Sequence, residues 1–183
     1  MSADDIRIYG DPVLRKKAKP VMEFDGRLKA VAQEMFETMF EAEGIGLAAP
    51  QVNIPKAFLV IGMPRENQEP ERLFFANPEI LESRGESSFQ EGCLSVPGIS
   101  DEVIRPEWIQ VKYQDLEGQE HVLEDGGLLA RVLQHEIDHL NGILFVDRLS
   151  PARKALLKNS LKKLAETGSI EPGGKPDDTA TPL

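Results

Sequence analysis

Two of the chain's three histidines lie in the pentad His135-Glu136-Ile137-Asp138-His139. This is H-E-x-x-H, and a helix would give it chemistry. Residues four apart share a helical face, so both imidazoles could reach one cation. At about 100° per residue, with His135 at 0°, Glu136 falls near 100°. Leu129, Leu140, Leu133 and Ile137 follow between about 120° and 200°, so Glu136 lies inside an apolar arc. A carboxylate there is costly unless paired or used. Between two imidazoles Glu136 is a candidate general base; its other use is as a buried carboxylate tied to a backbone donor or an arginine. The third histidine, His121, falls in a predicted strand and reads as a surface residue.

Two histidines leave a cation one protein ligand short. The longer pattern His-x-x-Gly-x-x-His fits at Gly142 but fails at Phe145. A downstream acid, Glu166, is available near the end of a basic helix. The other candidate is the chain's single cysteine, Cys93, in Gln90-Glu91-Gly92-Cys93-Leu94-Ser95. A lone cysteine commonly serves as a small buried apolar side chain. Here it sits in a turn-like stretch while the histidine pair lacks a ligand. A thiolate with two imidazoles would by itself suggest zinc. The rival set, His135, His139 and Glu166, would make a metalloendopeptidase that cleaves internal peptide bonds and gives Cys93 no metal role.

Three helices would carry these groups. Asp25 can cap the first, whose apolar residues Leu28, Val31, Ala32, Met35 and Met39 recur at helical spacing, with Gly44 as its left-handed end. The second is expected from a cap at Asp125 to about Asn141, with Gly142 after it. The third opens at Ser150-Pro151 and carries Leu156, Leu157, Leu161 and Leu164 on one side. Candidate strands are Ala57–Ile61, Leu73–Ala76, Trp108–Gln114 and Glu120–Glu124. Helix, then strands, then helices predicts an α+β fold: one domain with a central metal-binding helix against antiparallel β-structure.

At 183 residues one domain is expected, with residues 1–167 as its body. Residues 168–183 are Gly-, Pro-, Ser- and Thr-rich and are expected to be a disordered tail. The net charge of −10 argues against a general DNA or RNA binder. One cysteine excludes an internal disulfide, and no leader or apolar run of membrane-spanning length is present, so a reducing, cytoplasmic setting without membrane attachment is expected.

Three blocks resemble the peptide deformylase family: Gly44-Ile45-Gly46-Leu47-Ala48-Ala49-Pro50-Gln51, Glu91-Gly92-Cys93-Leu94-Ser95, and Gln134-His135-Glu136-x-x-His139. Their order and spacing fit, as do Asp11-Pro12-x-Leu14-Arg15 and the stretch from Gly142 to Phe145, so the resemblance spans about residues 5 to 165. It implies Cys93, His135 and His139 as ligands of one divalent ion, Fe2+ natively, with Zn2+, Ni2+ or Co2+ replacing it in preparations. It also implies a bacterial cytoplasmic enzyme that removes the formyl group from formylmethionyl nascent peptides.

The expected chemistry is amide hydrolysis. The metal acidifies its bound water. Glu136 takes that water's proton and returns it to the leaving amine. The Gln51 side-chain amide and the Leu94 backbone N–H are implied donors to the oxyanion. Gly44, Ile45, Gly46, Leu94 and Val132 would line the methionine pocket, and Glu91 would support a ligand or the fold. Arg131, where an aliphatic residue is more usual in the family, is expected to rim that pocket. It would either snorkel into water or meet the substrate at the pocket mouth. A catalytically silent, deformylase-like binding module would have lost the Glu, Gln or Cys of these blocks; all three are present. Residues 151–165 carry a charge of +5 against −12 for residues 1–150. This helix is therefore a candidate ribosome contact, or simply a solvated face. A monomer is expected.

Overall fold

The computed structural model describes residues 1–167 and Leu183; of the expected tail, residues 168–182 lie outside the described residues. Its elements run α1 (Gly26–Glu41), β1 (Gly46–Ala48), β2 (Phe58–Arg65), β3 (Gln68–Arg84), β4 (Ser87–Gly92), β5 (Ser100–Arg105), β6 (Trp108–Gln114), β7 (Glu120–Asp125), α2 (Leu128–Leu140) and α3 (Pro151–Thr167), joined by short 3-10 turns. A five-stranded antiparallel sheet has the order β1-β2-β3-β6-β7, and β4 and β5 pair as a separate antiparallel ribbon. The fold is α+β, as expected. Among the described residues no helix is long and apolar enough to cross a membrane.

Local signals explain the helix ends, with two shifts from expectation. Asp25 caps α1 by accepting from the N–H groups of Arg27 and Leu28. At the other end Glu43, not Gly44, takes the left-handed conformation, at φ 58°. The Gly44 N–H then closes the turn by donating to the Met39 carbonyl at 2.9 Å. The metal helix starts at Leu128 with Gly127 as its cap residue. Asp125 still serves this end, because its Oδ2 accepts from the N–H groups of Gly127 and Ala130, both at 2.8 Å. Gly142 ends α2 at φ 74°. A Cβ there would also lie 2.7 Å from the Arg15 backbone, so two constraints select glycine.

Packing sets the depth of α2. One apolar group joins Ala48, Leu59, Ile61, Phe75, Ile109 and Val111 of the sheet side to Val132, Leu133, Ile137 and Leu140 of the helix. Another holds α1 against β2 and β3 through Met35, Phe36 and Met39 with Phe58, Val60 and Phe74. A third joins Leu14, Cys93 and Val96 to Leu144, Phe145, Leu161 and Leu164. In α3 only Leu161 and Leu164 are buried, and Leu156, expected on the same side, is 75 % exposed.

Candidate metal centre

The burial of α2 extends well beyond the apolar arc: every residue from Ala130 to Leu140 is buried, including Arg131, Gln134, Glu136 and Asp138. A helix buried all round must satisfy its polar side chains internally. Gln134 donates to the carbonyls of Pro106 and Ala130. Asp138 accepts from Arg105 Nη1 at 2.6 Å and from both Arg148 Nε and Nη2 at 2.5 Å.

His135, His139 and Cys93 converge. Potential ligand atoms of the three lie within 4.8 Å of one another, all buried. Cys93 Sγ is 3.2 Å from His139 Nε2. Cys93 follows directly on β4, whose pairing with β5 runs to Gly92↔Ser100, so the ribbon aims the thiol at the helix. Glu166, the rival ligand, is 63 % exposed and faces Lys162 on its own helix. His121 is also away from the site, half-exposed and 2.6 Å from Asp115 Oδ2.

The donor set suits a cation by its unmet bonds. His135 Nδ1 is 3.0 Å from Glu91 Oε2. Burial pushes the Glu91 carboxyl up, but hydrogen bonds from Arg105 and His135 overcome this and hold it at about 2. An ionised carboxylate only accepts, so Nδ1 carries a ring proton, and in the neutral ring that leaves the lone pair on Nε2. That Nε2 is buried and has no hydrogen-bond partner. Burial holds His139 well below the usual histidine range, which favours the neutral ring a cation needs. Burial, then the Glu136 charge, pushes the Cys93 thiol up. A thiol so placed needs a nearby cation to ionise.

Glu136 is fully buried, with both oxygens lacking a hydrogen-bond partner. Burial, opposed by the Arg105 charge, pushes its carboxyl up to about 8. The backbone of β1 passes directly over it: a Cβ on Gly46 would come 2.5 Å from Glu136 Oε1. Gly46 was read as room for substrate; it is first of all room for this carboxylate. A Cβ on Gly44 would meet Leu94 Cδ1 at 2.7 Å. Gln51 sits in the 3-10 turn Ala49–Val52 after β1. Its Oε1 accepts from the Ala48 N–H at 2.7 Å, which fixes the amide orientation. Nε2 then faces the centre, 3.1 Å from Ser95 Oγ and 3.8 Å from Cys93 Sγ.

Ile45 and Val132 belong to one apolar group, which also holds Leu183. Leu183 is 1 % exposed, and its backbone N–H donates to the Gly92 carbonyl at 3.4 Å.

Arg131, expected to rim the methionine pocket, is buried at 5 % exposure, its guanidinium donating to Glu91, the Val103 carbonyl and Ser87 rather than standing in water. The reason is topological: β4 and β5 cover the helix face that the sequence left open. Arg105 was missed altogether. It is 2 % exposed and donates to Glu91 through Nε at 2.6 Å and Nη2 at 2.8 Å. Its signal was the alternation of β5, where Asp101, Val103 and Arg105 share the inward face.

Comparison with known proteins agrees with this geometry. Residues 3–155 match the polypeptide deformylase family model. A peptide deformylase of Chromobacterium violaceum is 49 % identical over 163 residues, covering 89 % of this chain and 96 % of that one. One from Rhizobium meliloti is 45 % identical over 168 residues, covering 91 % of this chain and 97 % of the other. The crystal structure of peptide deformylase from Thermus thermophilus superimposes with a TM-score of 0.82 at 49 % identity, over 88 % of this chain and 97 % of that one. That from Legionella pneumophila gives 0.81 at 44 % identity, over 91 % and 98 %. With the family model spanning most of the sequence and the HExxH helix, cysteine ribbon and glutamine turn assembled around one point, the chain belongs to the polypeptide deformylase family.

Proposed function

We propose that this protein is a metal-dependent hydrolase that removes the N-formyl group from formylmethionyl nascent polypeptides and releases formate. The observation that carries the reading is the convergence of Cys93, His135 and His139 beside a buried, unpartnered Glu136 carboxylate. Cys93 Sγ and the Nε2 atoms of His135 and His139 hold one divalent ion, natively Fe2+, with Zn2+, Ni2+ or Co2+ able to replace it. Such an ion supplies a Lewis acid and a water acidified toward neutral pH.

The chain's own groups do the rest. Glu136 accepts a proton from the attacking water and delivers it to the leaving amine. Its raised affinity for a proton suits it to both steps. The Gln51 Nε2–H, held by the Ala48 bond, and the Leu94 backbone N–H donate to the developing oxyanion. Gly44, Ile45, Gly46, Leu94 and Val132 shape the methionine pocket. Supporting this, Leu183 already lies in the apolar group of Ile45 and Val132 with its N–H on the Gly92 carbonyl. An extended substrate presents the same pair of features, an apolar side chain and a main-chain donor.

Residues 1–167 form the catalytic domain, acting as a monomer in the cytoplasm. Helix α3 is the ribosome-facing element, through Lys158, Lys162 and Lys163. Incubation with formyl-Met-Ala and with an internal-bond peptide tests the reading. Formate release from the first and no cleavage of the second is expected; the reverse would identify an endopeptidase.

A further inference from the structure

The two halves of the centre reach it on different elements, Cys93 from the ribbon and the histidines from α2, and a buried charge cluster joins them. Glu91 Oε1 accepts from Arg105 Nε at 2.6 Å and from Arg131 Nη1 at 2.9 Å. Glu91 Oε2 accepts from Arg105 Nη2 at 2.8 Å and from His135 Nδ1 at 3.0 Å. Arg105 lies on the ribbon, so its bonds to Glu91 stay within the ribbon, and its helix contact is Asp138 Oδ2. Arg131 comes from the metal helix, as do His135 and Asp138, and lies one turn before His135. Its Nη1 also donates to the Val103 carbonyl at 3.1 Å, and its Nη2 donates to the Ser87 carbonyl at 2.8 Å and to Ser87 Oγ at 2.7 Å. Ser87 begins β4 and Glu91 lies near its end, so one guanidinium grips both ends of the strand that delivers Cys93.

We propose that Arg131 is a positioning residue for the metal centre. It clamps the β4–β5 ribbon to the metal helix, fixing where Cys93 Sγ stands relative to the imidazoles. It also holds the Glu91 carboxylate that sets the His135 ring. The planar fork suits this task, because four bonds to three residues fix position and rotation together. Without it, Glu91 keeps Arg105 and His135, but the grip of the helix on Ser87 and on the Val103 carbonyl of β5 is lost. The ligand set is then complete but loosely held. Supporting contacts of this kind typically change metal affinity or activity by about 10- to 100-fold when removed.

This inference rests on the three-ligand reading above. The test uses Co2+-loaded protein, whose visible spectrum reports ligand geometry independently of turnover. In the wild type, a sulfur-to-cobalt charge-transfer band that vanishes in C93A verifies the ligand set; its absence would sink that reading rather than this one. Arg131→Leu and Arg131→Lys are then compared with wild type. The expected result is a folded protein with a shifted cobalt spectrum and metal release to a chelator faster by about 10- to 100-fold. The kcat should fall while KM for formyl-Met-Ala-Ser stays within about twofold. Lysine keeps one charge but cannot span Glu91 and Ser87 together, so its shift is smaller and in the same direction. If Arg131→Leu does not fold, the lysine variant carries the test alone. An unchanged spectrum and release rate in the folded variants would overturn the proposal. So would a change confined to KM, which would return Arg131 to the substrate pocket.

Discussion

Glu136 occupies a position that would be a folding fault in a protein with no use for it. It is a carboxyl with no hydrogen-bond partner, pressed under the backbone of Gly46. Replacing it with glutamine keeps the shape and removes the proton acceptor. Glu136→Gln is expected to retain metal and lose about 100-fold or more in turnover, measured as formate release. The same variant exposes the electrostatic cost. In the metal-free protein the Glu136 carboxyl is pushed up to about 8 from an ordinary 4.5. Between those values the folded state holds a proton that the unfolded state has released, so stability falls as pH rises. His139, held below 6.5, contributes the opposite slope on the acid side, where the unfolded chain binds the proton that the buried ring refuses. Between pH 6.5 and 8 the Glu136 effect therefore stands clear. Denaturant midpoints of metal-free wild type should decline over that range relative to metal-free Glu136→Gln. Parallel profiles would mean the carboxylate is not strained.

At the scale of elements, the legible parts were those with a period. The HExxH helix was expected to end at about Asn141 and ends at Leu140; β6 matches Trp108–Gln114 residue for residue. The β4–β5 ribbon was invisible because its polarity is inverted. Glu91, Asp101 and Arg105 face inward, while Phe89 and Ile104 are exposed, at 44 % and 64 %. Reading apolar as inside fails where a buried ion network occupies the inner face. β1 was missed because three residues, Gly46–Ala48, carry no period at all. The histidine pair could be read from spacing within one helix; its meeting with Cys93, 42 residues earlier than His135, is tertiary and was reached only through the missing third ligand and the family resemblance. The partners of Arg131 were hidden for the same reason, since Ser87, Glu91 and Val103 arrive from the unseen ribbon.

Helix α3 also differs from a uniformly basic face. Arg153 is drawn onto Asp101 at 2.7 Å and Lys154 onto the Asp147 carbonyl at 2.6 Å. Lys158, Lys162 and Lys163 lie on the exposed surface, with Lys162 3.9 Å from Glu166. Lys158→Glu with Lys162→Glu should weaken ribosome co-sedimentation, most visibly at low salt, and leave hydrolysis of formyl-Met-Ala unchanged. Salt-independent binding by the double variant would remove α3 from the partner surface.

Taken as a whole molecule, the fold is a device for bringing a thiol from a ribbon and two imidazoles from a fully buried helix to one point. Its apolar groups fix where α2 lies, and its ion network sets the ribbon against it. The interior keeps unmet bonds at His135 Nε2 and Glu136. Those unmet bonds make the central claim quantitative: one cation per chain should satisfy the centre and switch on the hydrolysis. The direct measurement is a titration of metal-free protein with Fe2+ under anaerobic conditions, following formate release from formyl-Met-Ala. The rate should rise linearly and break at one equivalent in the wild type, with no such rise at stoichiometric metal in Cys93→Ala. Formate release without metal, or an unchanged break at one equivalent in Cys93→Ala, would contradict the account.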